Sequence, residues 1–221
     1  MNNQLKIKTD LLAQGLLPLF YHDDAETSIG ILQALYDAGS RLVEYTNRGQ
    51  YALNNFISMK KVADRTMPGL WLGIGTIRTE MQVDEFRTAG ADFIVSPFVD
   101  VAVGKRAMEA DLLWIPGCMT PTDMALAERT GATMVKIFPG GVVGPAFISA
   151  VKEVFPGLLL MPTGGVEPER ENLESWFKAG VSAVGMGGKL ITKEAVLNRT
   201  YQDIGIKTKN VLTMIREIRG K

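Results

Sequence analysis

Short apolar runs alternate with amphipathic stretches along the whole of this 221-residue chain. Eight runs rich in leucine and β-branched residues have the length of buried strands. They lie at residues 16–20, 42–46, 70–75, 93–96, 113–116, 134–138, 158–162 and 183–186. Between them, apolar residues recur at helical spacing, in the groups Ile29, Leu32, Leu35 and Tyr36, then Phe147, Ile148, Val151 and Val154, then Leu173, Trp176 and Phe177. This alternation predicts an α/β protein with a parallel sheet.

Local signals mark where several of the helices begin. Thr120 is followed by a proline and then by Asp123, which predicts an N-cap, a proline at the first helical position and a capping box. Thr79 and Gln82 have the same spacing and predict a second capping box.

A weak internal repeat indicates how many units the chain contains. Gly39, Gly90, Gly131 and Gly180 each follow a helical stretch and precede the second, fourth, sixth and eighth predicted strands. Eight β-α units fill this length, so we expect a (β/α)8 TIM barrel, formed by residues 1–221 as a single domain with helical extensions at both ends. An open doubly wound sheet is the alternative, which we disfavour because no glycine-rich dinucleotide fingerprint follows the first strand.

Composition excludes several classes of function. With 24 basic and 24 acidic side chains, the chain has no electrostatic footprint for nucleic acid or for an anionic membrane. Cys118 is its only cysteine and His22 its only histidine, so we expect neither a disulfide framework nor a metal centre, and no cofactor. The N-terminus lacks the apolar segment of a signal peptide, which predicts a cytoplasmic protein that does not enter a membrane.

Lys136 is the residue that points most directly to chemistry, because it lies inside the apolar sixth run. Burial disfavours the charged form of an amine and favours the neutral form, which can attack a carbonyl carbon. Lys136 is therefore a candidate Schiff-base lysine. The alternative is a lysine whose stem packs in the strand while its ammonium group reaches solvent.

Other reactive side chains follow different predicted strands, and a barrel would bring them to one mouth. Glu44 emerges from the second strand and could act as a base beside Lys136, or the two could form a purely structural ion pair. Arg48 could clamp a substrate carboxylate, or it could be a surface arginine. Thr76 follows a glycine-rich strand end and offers a hydroxyl group.

Two glycine pairs follow the last two strands, where barrels often bind phosphate through loop amides. They are Gly164-Gly165 and Gly187-Gly188, and each pair taken singly is also typical of a tight turn. We interpret His22 and Cys118, which follow the first and fifth strands, as structural or peripheral residues.

Together these segments resemble the class I KDPG/KHG aldolases, which act on 2-keto-3-deoxy-6-phosphogluconate or 4-hydroxy-2-oxoglutarate. The resemblance rests on VEYTNR at 43–48, GIGT at 73–76, IPGCMTPT at 115–122, VKIFPG at 135–140, MPTGG at 161–165 and GMGGKL at 185–190. It covers most of the chain and implies a (β/α)8 barrel, commonly a homotrimer, that forms or cleaves a carbon-carbon bond to pyruvate without a metal.

The resemblance also implies a role for each matching residue. Lys136 would form the Schiff base and Glu44 would shuttle protons, while Arg48 and Thr76 would hold the substrate carboxylate. The remaining matches, which would wall the pocket or meet the distal phosphate, are Pro97, Phe138, Thr163, Gly164, Gly165, Gly187 and Gly188.

Two residues depart from the family pattern. Asn47 stands where the family usually has an aliphatic residue, and Lys189 where some members have serine.

The resemblance implies Schiff-base cleavage of 2-keto-3-deoxy-6-phosphogluconate to pyruvate and glyceraldehyde 3-phosphate, of 4-hydroxy-2-oxoglutarate to pyruvate and glyoxylate, or of both. The galactonate epimer or another short 2-keto acid is the alternative substrate. Two further hypotheses stay open at this stage. One is a phosphosugar isomerase or synthase on the same barrel, and the other is a barrel that binds sugar acids without turnover.

Overall fold

A computed structural model describes residues 3–220, so residues 1, 2 and 221 of the predicted domain lie outside the described residues. The described helices are α1 (Asn3–Gln14), α2 (Ala25–Asp37), α3 (Ala52–Thr66), α4 (Glu80–Thr88), α5 (Val101–Glu109), α6 (Pro121–Arg129), α7 (Gly140–Val154), α8 (Arg170–Lys178), α9 (Lys193–Leu197) and α10 (Tyr201–Ile218). The described strands are β1 (Leu16–Phe20), β2 (Leu42–Thr46), β3 (Trp71–Gly75), β4 (Phe93–Val95), β5 (Leu113–Ile115), β6 (Gly117–Cys118), β7 (Met134–Ile137), β8 (Leu159–Pro162) and β9 (Val184–Met186).

The strands form two parallel sheets. One sheet has the order β5-β4-β3-β2-β1-β9, and the other has the order β6-β7-β8. The sheets meet at two places: β5 and β6 flank Pro116, and an isolated parallel bridge joins Thr163 to Gly185. The predicted α/β class with parallel strands is confirmed. The single closed sheet of eight strands expected for a barrel is not observed among the described residues, whose strands form these two joined sheets instead.

The predicted fifth strand differs most from the structure, because the chain changes partners at Pro116. Ile115 accepts a hydrogen bond from the Ser96 amide after β4, whereas the Pro116 carbonyl accepts from the Lys136 amide of β7, at 2.8 Å. Proline has no amide proton to donate, so a ladder is readily interrupted at this residue. The chain therefore forms two short strands, β5 and β6, where one was predicted at 113–116, and β6 lies beyond the predicted bounds.

The two faces of the strands belong to different apolar clusters, as the two-residue period of a strand requires. One face packs against the surrounding helices. The other face forms an interior cluster of Leu17, Leu42, Phe93, Val95, Leu113, Ile115, Met134, Met161 and Ala183, joined by Ile7 and Leu11 of α1. Helix α1 thus covers the amino ends of the strands, and the interior beneath the strand mouths is a packed core.

The helix signals in the sequence were largely correct. The box of Thr120 and Asp123 is reciprocal, as predicted. Thr79 accepts a hydrogen bond from the Gln82 amide, but the Gln82 side chain accepts from the Arg78 amide, so this second box is shifted by one residue. Val154, which the helical spacing grouped with Ile148 and Val151, is 68% exposed in the last turn of α7 and does not share their burial.

No helix within residues 3–220 is long and apolar enough to cross a membrane.

Candidate active site

Toward the carboxyl ends of the strands, the inward-facing positions change from apolar to polar. Glu44 is two residues beyond Leu42 on β2, and Lys136 is two residues beyond Met134 on β7. Because alternate residues of a strand share a face, both polar groups point to the same interior as the apolar residues beneath them. The interior cluster is therefore the floor of a polar pocket.

Lys136 and Glu44 approach each other in this pocket. The Lys136 Nζ is 3.6 Å from the Glu44 Oε1, and the two side chains are only 6% and 1% exposed. This separation is beyond a normal hydrogen bond. Both carboxylate oxygens of Glu44 lack a hydrogen-bond partner among the described residues. Buried polar groups are nearly always paired, so Glu44 keeps its full accepting capacity for a group that enters the site.

The space for these side chains exists because neighbouring positions are glycines. A Cβ atom on Gly75 would lie 1.8 Å from the Glu44 Oε1. A Cβ atom on Gly185 would lie 2.2 Å from the Oγ1 of Thr163, another buried atom without a partner among the described residues. Sequence reasoning missed this role of Gly75 and Gly185. The available signal was glycine in a strand interior, which marks a close approach by another group.

The aromatic ring of Phe138 lies near the lysine amine. The Lys136 Nζ lies 5.3 Å from the centroid of this half-buried ring, within the range of a cation-π contact. Pro97 lies at the end of β4, where its carbonyl oxygen would be 2.2 Å from a Cβ atom on Gly117. Gly117 pairs with Lys136 in the ladder between β6 and β7, so Pro97 approaches the strand partner of the lysine, whereas Phe138 faces its amine.

Arg48 and Thr76 occupy the loops that follow β2 and β3. Arg48 is exposed, and its guanidinium makes no hydrogen bond or ion pair within residues 3–220. It lines a cavity of about 500 Å³ together with His22, Gly187 and Gly188. Thr76 has a φ of 64°, a left-handed conformation that is uncommon for threonine and that clusters at functional sites. The structure therefore places both residues at the mouth, but Arg48 does not contact the Lys136–Glu44 pair.

The glycine loop after β8 is fixed by side chains of α8. The Trp176 Nε1 and the Asn172 Nδ2 both donate to the Gly165 carbonyl, each at 3.4 Å. The Asn172 Oδ1 accepts from the Glu167 amide at 2.9 Å. These contacts hold Gly164 and Gly165 in place. Sequence reasoning missed Asn172, and its position two residues into a helix gave no chemical signal.

An ion pair joins this loop to the loop after β9. The Lys189 Nζ is 3.0 Å from the Glu167 Oε2. Lys189 directly follows Gly187 and Gly188, so the pair lies beside both predicted phosphate-binding glycine segments. The sequence drew attention to Lys189 but gave no indication of its partner.

His22 and Cys118 have different surroundings. The His22 Nδ1 accepts from the Asp24 amide, and the His22 carbonyl accepts from the Tyr45 hydroxyl group. Cys118 lies in the cluster that faces the helices, where burial and the nearby Asp123 carboxylate raise the pKa of its thiol to about 12. Cys118 therefore does not line the pocket. Within residues 3–220 no group of three His, Cys, Asp or Glu side chains could hold a metal ion.

The comparison with known protein families identifies the family to which this chain belongs. The family described as "Aldolase: KDPG and KHG aldolase" matches residues 7–206. The chain belongs to this family of carbon-carbon lyases, as its motifs indicated.

Individual relatives have related but different names. The chain is 32% identical over 204 residues to the 2-dehydro-3-deoxy-6-phosphogalactonate aldolase of Escherichia coli K12, with 91% of this chain and 93% of the relative covered. It is 30% identical over 155 residues to the 2-dehydro-3-deoxy-phosphogluconate aldolase of Zymomonas mobilis, with 69% and 72% covered. A solved structure described as native KDPGal superposes with a TM-score of 0.84 at 26% identity, covering 93% of this chain and 96% of that one.

Proposed function

We propose that this chain is a Schiff-base aldolase that cleaves a phosphorylated 2-keto-3-deoxy sugar acid to pyruvate and glyceraldehyde 3-phosphate. One observation carries the proposal: a buried lysine amine lies 3.6 Å from a buried glutamate whose oxygens have no partner among the described residues. A nucleophile and a base at this distance are what the chemistry requires.

The reaction follows from these two groups. The neutral Lys136 amine adds to the C2 ketone, and loss of water gives an iminium that can accept an electron pair. Glu44 removes the C4 hydroxyl proton, directly or through a water, so the C3–C4 bond breaks and an aldehyde leaves. The remaining enamine is protonated at C3, and hydrolysis of the iminium releases pyruvate and restores Lys136.

The other predicted residues provide binding and enclosure. Arg48 has no side-chain partner among residues 3–220 and is suited to a bidentate contact with the substrate carboxylate, and Thr76 lies in the loop after the next strand, β3. Pro97 and Phe138 wall the pocket beside Lys136.

At the distal end, the amides of the two glycine segments and the unpaired Thr163 hydroxyl would meet the phosphate-bearing part of the substrate. These residues are Thr163, Gly164, Gly165, Gly187 and Gly188.

Two alternative substrates deserve a direct comparison. The relative at 32% identity is named for the galactonate epimer, which favours that compound as a second candidate. The family description also includes 4-hydroxy-2-oxoglutarate, which carries no phosphate. Pyruvate release coupled to lactate dehydrogenase, with kcat/KM measured for all three compounds, ranks them.

The Schiff base itself is tested by trapping. Borohydride with pyruvate should attach a three-carbon unit irreversibly to Lys136, located by peptide mass spectrometry. Lys136→Ala should abolish both trapping and turnover, whereas Lys178→Ala, at the end of α8, should leave both intact. Full turnover in the Lys136 variant would overturn the proposal. Trapping would also distinguish an aldolase from a phosphosugar isomerase. Turnover would distinguish an aldolase from a barrel that only binds sugar acids.

We further propose that the two joined sheets act as one closed (β/α)8 barrel and that the chain assembles as a homotrimer. Exposed apolar side chains follow the neighbouring strands β4, β6 and β7, namely Phe98, Met119 and Val142. Such residues near one another are suited to a subunit contact. Light scattering coupled to size exclusion should give three times the mass of one chain, and a monomer at micromolar concentration would contradict the trimer.

A further inference from the structure

The ion pair between Glu167 and Lys189 connects the two glycine segments across the distal end of the site. The bridge from Thr163 to Gly185 brings the carboxyl ends of β8 and β9 side by side. The loops that continue from these strands carry Glu167 and Lys189, whose charged atoms lie 3.0 Å apart. The ion pair therefore joins the two loops that carry the glycine segments.

The two partners are anchored very differently. The Glu167 amide is held by Asn172, and its side chain is 33% exposed. The Lys189 carbonyl accepts a hydrogen bond from the Lys207 Nζ at 3.3 Å, which fixes the backbone, but the Lys189 side chain is 64% exposed. The lysine ammonium group has three hydrogen-bond donors and is carried on a flexible stem of four carbons. Lys189 can therefore move its ammonium group while its backbone and Glu167 stay in place.

The pair is easily exchanged for a stronger partner. An exposed lysine-carboxylate pair contributes little to stability because solvent screens it. A phosphate monoester carries nearly two negative charges at pH 7 and three accepting oxygens, so it outcompetes a single carboxylate for an ammonium group. The Glu167 carboxylate repels that phosphate and also competes with it for the Lys189 ammonium group.

We propose that Lys189 is the residue that selects phosphorylated over unphosphorylated 2-keto acids, and that Glu167 holds it in a resting position from which the phosphate displaces it. The inference rests on the proposed function, because it assigns a role at the distal end of the same site. The glycine amides then provide contacts common to many anions, and Lys189 provides the charge that distinguishes phosphate from a short carboxylate substrate.

The test is the ratio of kcat/KM for 2-keto-3-deoxy-6-phosphogluconate to that for 4-hydroxy-2-oxoglutarate. Lys189→Met should lower this ratio about tenfold or more, since a charge-assisted contact to phosphate is lost. Glu167→Gln should raise the ratio, because the competing carboxylate is removed while the amide side chain has a similar shape. Lys178→Met is the matched control, since it removes the same charge from the opposite end of the barrel and should leave the ratio unchanged.

Inorganic phosphate provides a second readout that is independent of turnover of the phosphorylated substrate. It should inhibit cleavage of 4-hydroxy-2-oxoglutarate in the wild type and in Lys178→Met, and the inhibition constant should rise in Lys189→Met. Thermal melting of each variant separates a binding effect from a folding defect.

The outcomes separate this inference from the proposed function. If borohydride traps pyruvate on Lys136 but Lys189→Met leaves both the ratio and phosphate inhibition unchanged, the role of Lys189 is wrong and the aldolase stands. If Lys189→Met lowers kcat/KM equally for both substrates and also lowers the melting temperature, the role in selectivity is likewise wrong, and the ion pair only stabilises the two loops. Absence of trapping in the wild type would instead refute the aldolase.

Discussion

At the scale of single residues, the site depends on missing side chains as much as on present ones. Glu44 and Thr163 reach their interior positions only because Gly75 and Gly185 have no Cβ atom. The polar atoms that remain unpaired here are costly in a folded protein unless a ligand or water satisfies them. This arrangement favours function over stability at the centre of the site.

Two glycines on β3 allow the effects on function and packing to be separated. In Gly75→Ala the new methyl group collides with the Glu44 carboxylate, and a displaced catalytic group costs about 10²-fold in kcat. In Gly73→Ala it lies 2.3 Å from atoms of the buried Phe93 ring, so overpacking should cost about 1–3 kcal/mol of stability. Steady-state kinetics and urea unfolding of both variants check this, and a normal kcat in Gly75→Ala would contradict the described position of Glu44.

Glu44→Gln should separate proton transfer from Schiff-base formation. The amide cannot accept a proton as a base, so cleavage should slow by about 10²–10⁴-fold. The Lys136 amine is still present, so borohydride trapping with pyruvate should persist at least in part. Single-turnover cleavage beside trapping yield measures the two steps, and an unchanged cleavage rate would remove Glu44 from its proposed role.

At the scale of elements, short local signals determine where helices begin and which strand pairs with which. The Thr120 box starts α6 immediately after β6, so the strand end and the helix start are separated by only two residues. Pro116 determines the strand pairing, because the chain pairs with β4 before this residue and with β7 after it. Together these features set the path of the chain beside Lys136.

The capping box predicts a pH dependence of stability. Burial raises the pKa of the Asp123 carboxyl group, but hydrogen bonds from the Met119 and Thr120 amides outweigh this and hold the pKa below its usual range. The Asp123 carboxylate therefore contributes its full stabilisation of the folded state above the pKa of the unfolded chain, about 3.9. This contribution is lost as the pH falls through the lower pKa of Asp123 in the folded state. Urea unfolding should show Asp123→Asn less stable than the wild type at pH 7, with the difference shrinking toward pH 3.

A carboxylate elsewhere on α6 provides the control for this experiment. Glu128 makes no side-chain hydrogen bond among the described residues, so Glu128→Gln should not reproduce that pH-dependent loss. A constant difference between the wild type and Asp123→Asn from pH 7 to pH 3 would show that the box acts through shape alone.

At the scale of the whole molecule, α1 closes the interior at the amino ends of the strands. Ile7 and Leu11 complete the interior cluster, the Trp71 Nε1 donates to Asp10 at 2.8 Å, and the Gln14 side chain donates to the Leu16 carbonyl. The polar pocket at the carboxyl ends of the strands therefore lies directly above a packed apolar cluster.

Shortening a buried side chain of α1 should destabilise the protein without changing the residues of the polar pocket. Leu11→Ala should cost about 2–5 kcal/mol, because Leu11 is fully buried and leaves a cavity. Leu5→Ala on the same helix should cost less than about 0.5 kcal/mol, since Leu5 is 48% exposed. Chemical unfolding measures both, and equal losses would contradict the burial of α1.

The sequence predicted those features that depend on local pattern. Apolar runs located the strand regions except β6, which lies beyond the run predicted at 113–116. The positions of Glu44 and Lys136 on different strands indicated that both reach one mouth. The partner of Lys189 was not predictable, because it depends on the relative position of two loops that are distant in sequence. The close fit of Glu44 against Gly75 depends on side-chain conformations that no periodicity encodes, and the partner change at Pro116 depends on competition between neighbouring strands.

The division into two sheets has a consequence for how the molecule loses activity. Glu44 belongs to the six-stranded sheet and Lys136 to the three-stranded one, so their 3.6 Å separation measures how well the two sheets are aligned. Within residues 3–220, few backbone hydrogen bonds connect these sheets, among them those at the Pro116 junction, at the bridge of Thr163 and Gly185, and from the Ser182 amide to the Leu160 carbonyl. Partial opening of a protein begins where few hydrogen bonds hold it together. Breathing at this seam would separate nucleophile from base while both sheets stay folded, so mild heating should inactivate the enzyme before it melts.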